Sequence, residues 1–141
     1  MNCSFIKDLI KQNTSLGISK YYCGKIDNKY EKAICVYDLQ NDVKRNIAVG
    51  GKDLTTGIRK FSVLVRWNKS YSETEEAAQN IFDYLTTLRQ MSYNNIDIKY
   101  IELLNDAPID LHCGDDGIFE RLFDLRIYFE EKQIIEQQEN N

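Results

Sequence analysis

The only histidine in this sequence, His112, stands directly before Cys113, and a thiol beside an imidazole is the pairing here that would suit nucleophilic catalysis. Adjacent residues of an extended chain point to opposite sides, and no second histidine could act as base, so the pair reads as a loop histidine next to an ordinary thiol. Asp106, Asp110, Asp115 and Asp116 crowd the same stretch and could ligate calcium. The Asp-x-Asp-x-Asp-Gly run and closing glutamate of a calcium loop are missing, which leaves an aspartate-rich turn. "VGGKDLTTG" at 49–57 would offer glycine amides and Lys52 to an oxyanion. It lacks the Gly-x-x-x-x-Gly-Lys spacing and leads into a strand, whereas a phosphate loop leads into a helix. Cys3, Cys23, Cys35 and Cys113 show no CxxC spacing, so reduced, packed thiols are expected. Tyr21, Tyr22 and Tyr37 could stack on bases, but strand tyrosines more often serve packing. No catalytic, cofactor or metal site is expected.

These residues sit in a chain of 141 residues, of which 43% are hydrophobic and 28% charged, a size and balance that suit one globular domain. A formal charge of −4 argues against broad attraction to a phosphate backbone. No apolar run approaches the roughly 20 residues of a membrane span, and "MNCSFIKDLIKQ" lacks a secretory pattern, so a cytoplasmic site of synthesis and no membrane partner are expected.

Phe5, Ile6, Leu9 and Ile10 fall on one side of a short helix over 3–13, with Leu16-Gly17 as its stop. "YYCGKI" and "KAICVYDL" flank the turn "DNKYE" and predict a hairpin. Arg59, Phe61, Val63, Val65 and Trp67 alternate with Lys60, Ser62, Leu64, Arg66 and Asn68, which predicts a one-sided strand. Ser72-x-x-Glu75 reads as a capping box opening a helix with Ala78, Ile81, Phe82, Leu85 and Leu88 on one face. "NNIDIKYIELL" predicts a further strand and "NDAPIDLHCGDDG" a turn-rich connection. "RLFDLRIYFEE" closes the pattern. Phe119, Arg121, Phe123, Leu125, Ile127 and Phe129 face the core, and Glu120, Leu122, Asp124, Arg126, Tyr128 and Glu130 face outward. The expected fold is α+β, a single antiparallel-dominated sheet with two helices packed on one face, over residues 1–131 with a polar tail at 132–141. Residues 40–57 read as a long polar loop, mildly basic through Lys44, Arg45, Lys52 and Arg59, with Asp42 and Asp53 in opposition. A loop of that length is usually functional or disordered.

In segment order the chain resembles the minor capsid, or tail terminator, proteins of long-tailed bacteriophages and prophages. The resemblance lies in the opening helix, "ICVYDL", "FSVLVRW", "SETEEAAQNIFDYL", the proline and "DDGIFERLFDLRIYFEE", and spans residues 5–131. It implies a structural virion protein, assembled in the host cytoplasm, forming a hexameric ring at the head-proximal end of the tail tube. Such a ring stops tube polymerisation, meets the head-tail connector or stopper, and lets DNA pass transiently through its lumen. A head-tail joining or tail-completion protein is the alternative, with a small-ligand-binding protein or enzyme behind it. A ring needs two unlike patches per subunit. Arg66, Asp124, Arg126 and Glu130 are the candidate subunit interface, and Lys44, Arg45, Lys52 and Asp53 the candidate loop contacts.

Overall fold

Strand β8 (Phe119–Lys132) is the spine of the structure, and its alternation decides which side of the sheet is dry. Phe123, Leu125 and Ile127 are fully buried, each contributing roughly 1.5–3 kcal/mol by leaving water. The intervening Leu122, Asp124, Arg126 and Tyr128 are half-buried on the opposite face. The structure, a computed structural model, describes residues 1–13, 16–39, 47–48 and 54–132. Lys44, Arg45, Lys52, Asp53 and the tail beyond residue 132 lie outside them.

Ten elements follow in chain order: α1 (Cys3–Asn13), β1 (Lys20–Cys23), β2 (Ala33–Asp38), β3 (Ile47–Ala48), β4 (Leu54–Arg66), α2 (Tyr71–Thr86), β5 (Met91–Tyr93), β6 (Ile96–Leu103), β7 (Ile109–Cys113) and β8. The eight strands form one sheet ordered β1-β2-β4-β8-β6-β5, with β3 on β4 and β7 on β8. β4 and β8 run antiparallel in unbroken register from Leu54↔Lys132 to Arg66↔Glu120. β6 takes the other side of β8 at one end, through Ile96↔Glu131 to Leu103↔Leu125, and β7 takes it at the other, through Ile109↔Leu122. α1 and α2 share one core with the sheet: Ile6, Leu9, Ile81 and Leu85 meet Val36, Phe61 and Phe123. This is the α+β arrangement expected, with helices packed against the sheet.

Several local expectations change. β1 and β2 pair in parallel, Lys20↔Ala33 to Cys23↔Val36, and do not form a hairpin. A four-residue strand spans only about 13 Å, so residues 24–32 can return the chain to the starting end. Gly24, at φ 84, begins that return and donates its N–H to Val36 O at 2.9 Å. The helix cap is Ser70, two residues before the one expected: its hydroxyl accepts from Glu73 N at 3.3 Å, while its own N–H donates to Asn68 Oδ1 at 2.9 Å. Part of the stretch read as loop is strand, since β3 pairs with the start of β4 through Ile47↔Thr56 and Ala48↔Thr55. Arg59, grouped above with the loop, lies on β4 and reaches Asp38 at 3.1 Å and Met1 O at 2.8 Å. The turn-rich stretch before β8 contains β7. β5 and β6 form a tight hairpin whose central Asn94 and Asn95 both take positive φ, 50 and 64, as a two-residue turn requires.

The thiols also depart from expectation. Cys3 on α1 and Cys23 at the end of β1 form a disulfide with Cα atoms 5.8 Å apart, because the helix packs across the first strand. Cys35 is a buried thiol and Cys113 an exposed one.

Candidate functional site

The outer face of the sheet carries the charges singled out in the sequence, and the register sets their neighbours. Arg126 lies between Lys60 on β4 and Glu102 on β6, and Asp124 lies beside Ser62. Arg126 Nη1 donates to Glu102 Oε1 at 3.0 Å, Tyr128 OH donates to the same oxygen at 3.2 Å, and Ser62 Oγ donates to Asp124 Oδ1 at 2.6 Å. Lys99, at the bulge in β6, pairs with Glu130 at 3.4 Å. Tyr100 and Tyr128 stand 5.9 Å apart between these pairs. Asp124, Arg126 and Glu130 therefore share one wet face and are cross-linked within the subunit. Such partly exposed pairs are each worth up to about 1 kcal/mol.

Arg66 shares the face but not the exposure. Its residue surface is 5% accessible, because residues 24–32 fold over this end of the sheet. Nε donates to Tyr30 O at 3.2 Å and Nη2 to Asn28 O at 3.1 Å, Asp116 meets Nη2 directly, and Glu120 lies 3.6 Å from Nη1. The donated hydrogen bond, joined by one from Ile118 N, holds the Asp116 carboxyl below its ordinary range. Arg66 is thus an internal clamp on the crossover, placed there by a segment far away in sequence, and not the open contact residue expected from alternation.

Nor do the candidates for chemistry converge. His112 has a side chain 82% exposed, and its Nδ1 sits 3.2 Å from Asp110. At φ 65, with its N–H donated to Asp110 Oδ1 at 2.8 Å, it marks the bulge that ends regular pairing of β7. Asp116 serves Arg66, and Asp106 and Asp115 are exposed. Tyr21 packs against the core under Lys11, 5.7 Å from the ring. The Tyr37 hydroxyl is bonded to Cys35, and burial pushes its pKa well above the usual tyrosine range.

Arg121 is the inward-facing charge. It is 7% accessible beneath α2, with its guanidinium 5.0 Å from the Tyr71 ring and Nη2 3.5 Å from Glu75. Tyr71 and Glu75 are four apart on the helix, so one face supplies both partners. Their spacing on the helix opposite a lone arginine on an apolar strand face was a readable signal. Beside Arg121 opens a recess of about 340 Å³, walled by Glu75, Glu76, Gln79, Ala107 and Pro108.

Two of the sheet's margins complete the surface. Among the described residues, β1 pairs only with β2 and β7 only with β8. On β7, Ile109 and Leu111 are 46% and 42% exposed, large apolar side chains on a strand with a free edge. A free strand edge beside apolar side chains is suited to binding another chain.

A comparison of the sequence with curated proteins finds no match. Among solved structures, the fold is similar to a chain of the virion of a native gene transfer agent particle, with a TM-score of 0.59 and 9% identity, over 87% of this chain and 90% of that one. That likeness concerns the fold alone. The family model described as bacteriophage tail terminator protein matches residues 7–131. The chain belongs to the bacteriophage tail terminator family, and is a structural tail protein and a component of the virion.

Proposed function

We propose that copies of this chain form a ring, hexameric in the assembled tail, at the head-proximal end of the tail tube. The ring stops tube polymerisation and presents the surface to which the head-tail connector or stopper attaches, with DNA passing through its lumen. Family membership over residues 7–131 is the observation that carries this reading. The surface is consistent with it: a heterologous ring needs two unlike patches on each subunit, and the β1 and β7 margins of the sheet are unlike. Asp124, Arg126 and Glu130, with their internal partners, would set register against a neighbour or the tube.

Deleting the gene and imaging the lysate by electron microscopy tests the reading. Full heads lying apart from headless tails, many of them longer than normal, are expected, because nothing occupies the last layer of the tube. Adding back the protein should restore joining. Tails of normal length joined to heads would rule the function out, and tails of normal length without heads would assign a head-tail joining or completion role.

A further inference from the structure

We propose that neighbouring copies join through two specific and unlike patches, the β7 margin of one and the β1 margin of the next. This inference rests on the ring reading and deepens it by naming the contact.

The first patch begins at the recess beside α2, where Glu75 and Glu76 face Ala107 and Pro108, and continues along β7 through Ile109 and Leu111. Asp106 and Asp115, both exposed, flank the strand. Its character is acidic, with two protruding aliphatic side chains and a free strand edge. The one arginine in the recess, Arg121, is buried and faces Glu75.

The second patch is the free edge of β1 with the crossover that follows it. Between Lys20 and Lys32 there are four lysines against Asp27 and Glu31. Lys20, Lys25 and Lys29 are exposed. Within this basic stretch a recess of about 370 Å³ is lined by Tyr22, Lys25, Ile26, Asp27 and Asn28. It offers aromatic and aliphatic surface at a size that admits a leucine or isoleucine side chain.

The two patches are complementary in each respect. One is acidic and the other basic; one projects aliphatic side chains and the other has a hollow of mixed lining in which Tyr22 and Ile26 supply the apolar surface; each has an unpaired strand edge. They also lie on opposite flanks of the sheet, since β1 ends the strand order and β7 lies beyond β8. A contact between them is therefore heterologous, which leaves both patches of a dimer's outer ends open for further copies. Buried apolar anchors would hold the contact and the opposed charges would choose the partner and its register.

The test uses two full-length variants that each spoil one patch. Ile109→Ser with Leu111→Ser removes the aliphatic anchors without adding a charge that the other variant could match. Lys25→Glu with Lys29→Glu reverses the basic patch. All four positions are exposed, and thermal melts confirm folding before association is measured. By analytical ultracentrifugation each variant alone is expected to be monomeric at concentrations where the wild type assembles. An equimolar mixture should form one-to-one dimers and nothing larger, because it contains one intact pair of patches. As a check without mutation, assembled wild-type protein made from mixed isotope-labelled and unlabelled subunits should give cross-links, by a short thiol-to-amine reagent on the exposed Cys113, that join a labelled chain to Lys25 or Lys29 of an unlabelled one. Variants that each assemble like the wild type, a mixture that stays monomeric, or cross-links to other lysines only would overturn the pairing and leave the ring reading standing. A wild-type protein that is monomeric both in solution and on isolated tails would overturn the ring reading, and this inference with it.

Discussion

Replacing Arg66 separates the two roles that a charged residue on the outer sheet face can have. Its side chain is 6% exposed and holds the 24–32 crossover against β4 by donating to two backbone carbonyls. A hydrogen bond from a charged donor is worth about 1.5–3 kcal/mol net. The two carbonyls belong to exposed residues, Asn28 and Tyr30, and water recovers part of that loss. The carboxylate contacts add little, since the Asp116 side chain is 46% exposed and solvent screens it. Arg66→Ala is therefore expected to lower folding stability by about 3 kcal/mol, the worth of the two backbone hydrogen bonds less what water recovers. For a chain of this length that corresponds to a melting temperature lower by about 10 °C. Arg66→Lys keeps the charge but loses the fork and should recover only part of the deficit. Urea unfolding of dilute protein reads the effect, and hydrogen exchange should show the amides of Gly24 and Lys32, bonded to Val36 O and Trp67 O, losing protection first. An Arg66→Ala protein that melts like the wild type yet fails to assemble would refute the clamp and return Arg66 to the subunit surface.

Three further outcomes are expected. A Cβ on Gly57 would stand 2.5 Å from Phe129 Cζ, so Gly57→Ala should displace that ring and cost about 1–3 kcal/mol in a urea titration; an unchanged midpoint would show that the ring yields freely. With the Cys3–Cys23 disulfide intact, a maleimide should label Cys113 alone in the folded protein and Cys35 only on unfolding, since burial raises the Cys35 thiol pKa and hides it. Reduction should expose all four thiols in the unfolded chain and lower stability by about 3 kcal/mol for a loop of this length; four reactive thiols before reduction would refute the bond. Asp116 is held below its ordinary pKa chiefly by Arg66, so its contribution is present above the unfolded value of about 4 and is lost as pH falls through the folded one. Crossover amides should lose protection over that acid range in the wild type and much less steeply in Asp116→Asn; identical profiles would exclude the linkage.

The elements with strong periodicity were legible in the sequence, and the coverings laid over them were not. α1, α2, β4 and β8 follow from apolar spacing, and the inward set Phe123, Leu125, Ile127 came out as expected because strand alternation is a local property. The same alternation put Arg66 on the outer face correctly but could not reveal that residues 24–32 cover it, a contact made across 36 and 38 residues of chain. β5 and β7, at three and five residues, are too short to show a period. The cap was displaced because "SYSETE" contains two overlapping boxes, Ser70-x-x-Glu73 and Ser72-x-x-Glu75, and the bonds from Glu73 N to Ser70 Oγ and from Ser70 N to Asn68 choose the first. The Cys3–Cys23 pairing needed the packing of α1 on β1, which cysteine spacing does not encode.

The division between the middle of the sheet and its margins bears on how such a subunit can wait before assembling. Across the outer face, Glu102, Arg126, Lys99 and Glu130 satisfy one another within the chain, so a neighbour gains little by approaching there and the face resists indiscriminate association. At the margins the backbone edges of β1 and β7 are unpaired among the described residues, and the exposed Ile109 and Leu111 remain unburied. Binding energy is thus concentrated where a partner must present a complementary edge, which favours an ordered contact over random stacking. At these two margins a lone subunit exposes only short edges, of four and five residues, each flanked by charge that discourages like edges from meeting. Acidic β7 margins repel one another and basic β1 margins do the same, leaving the unlike pairing as the one that electrostatics permits, and an unlike pairing is what a closed ring requires.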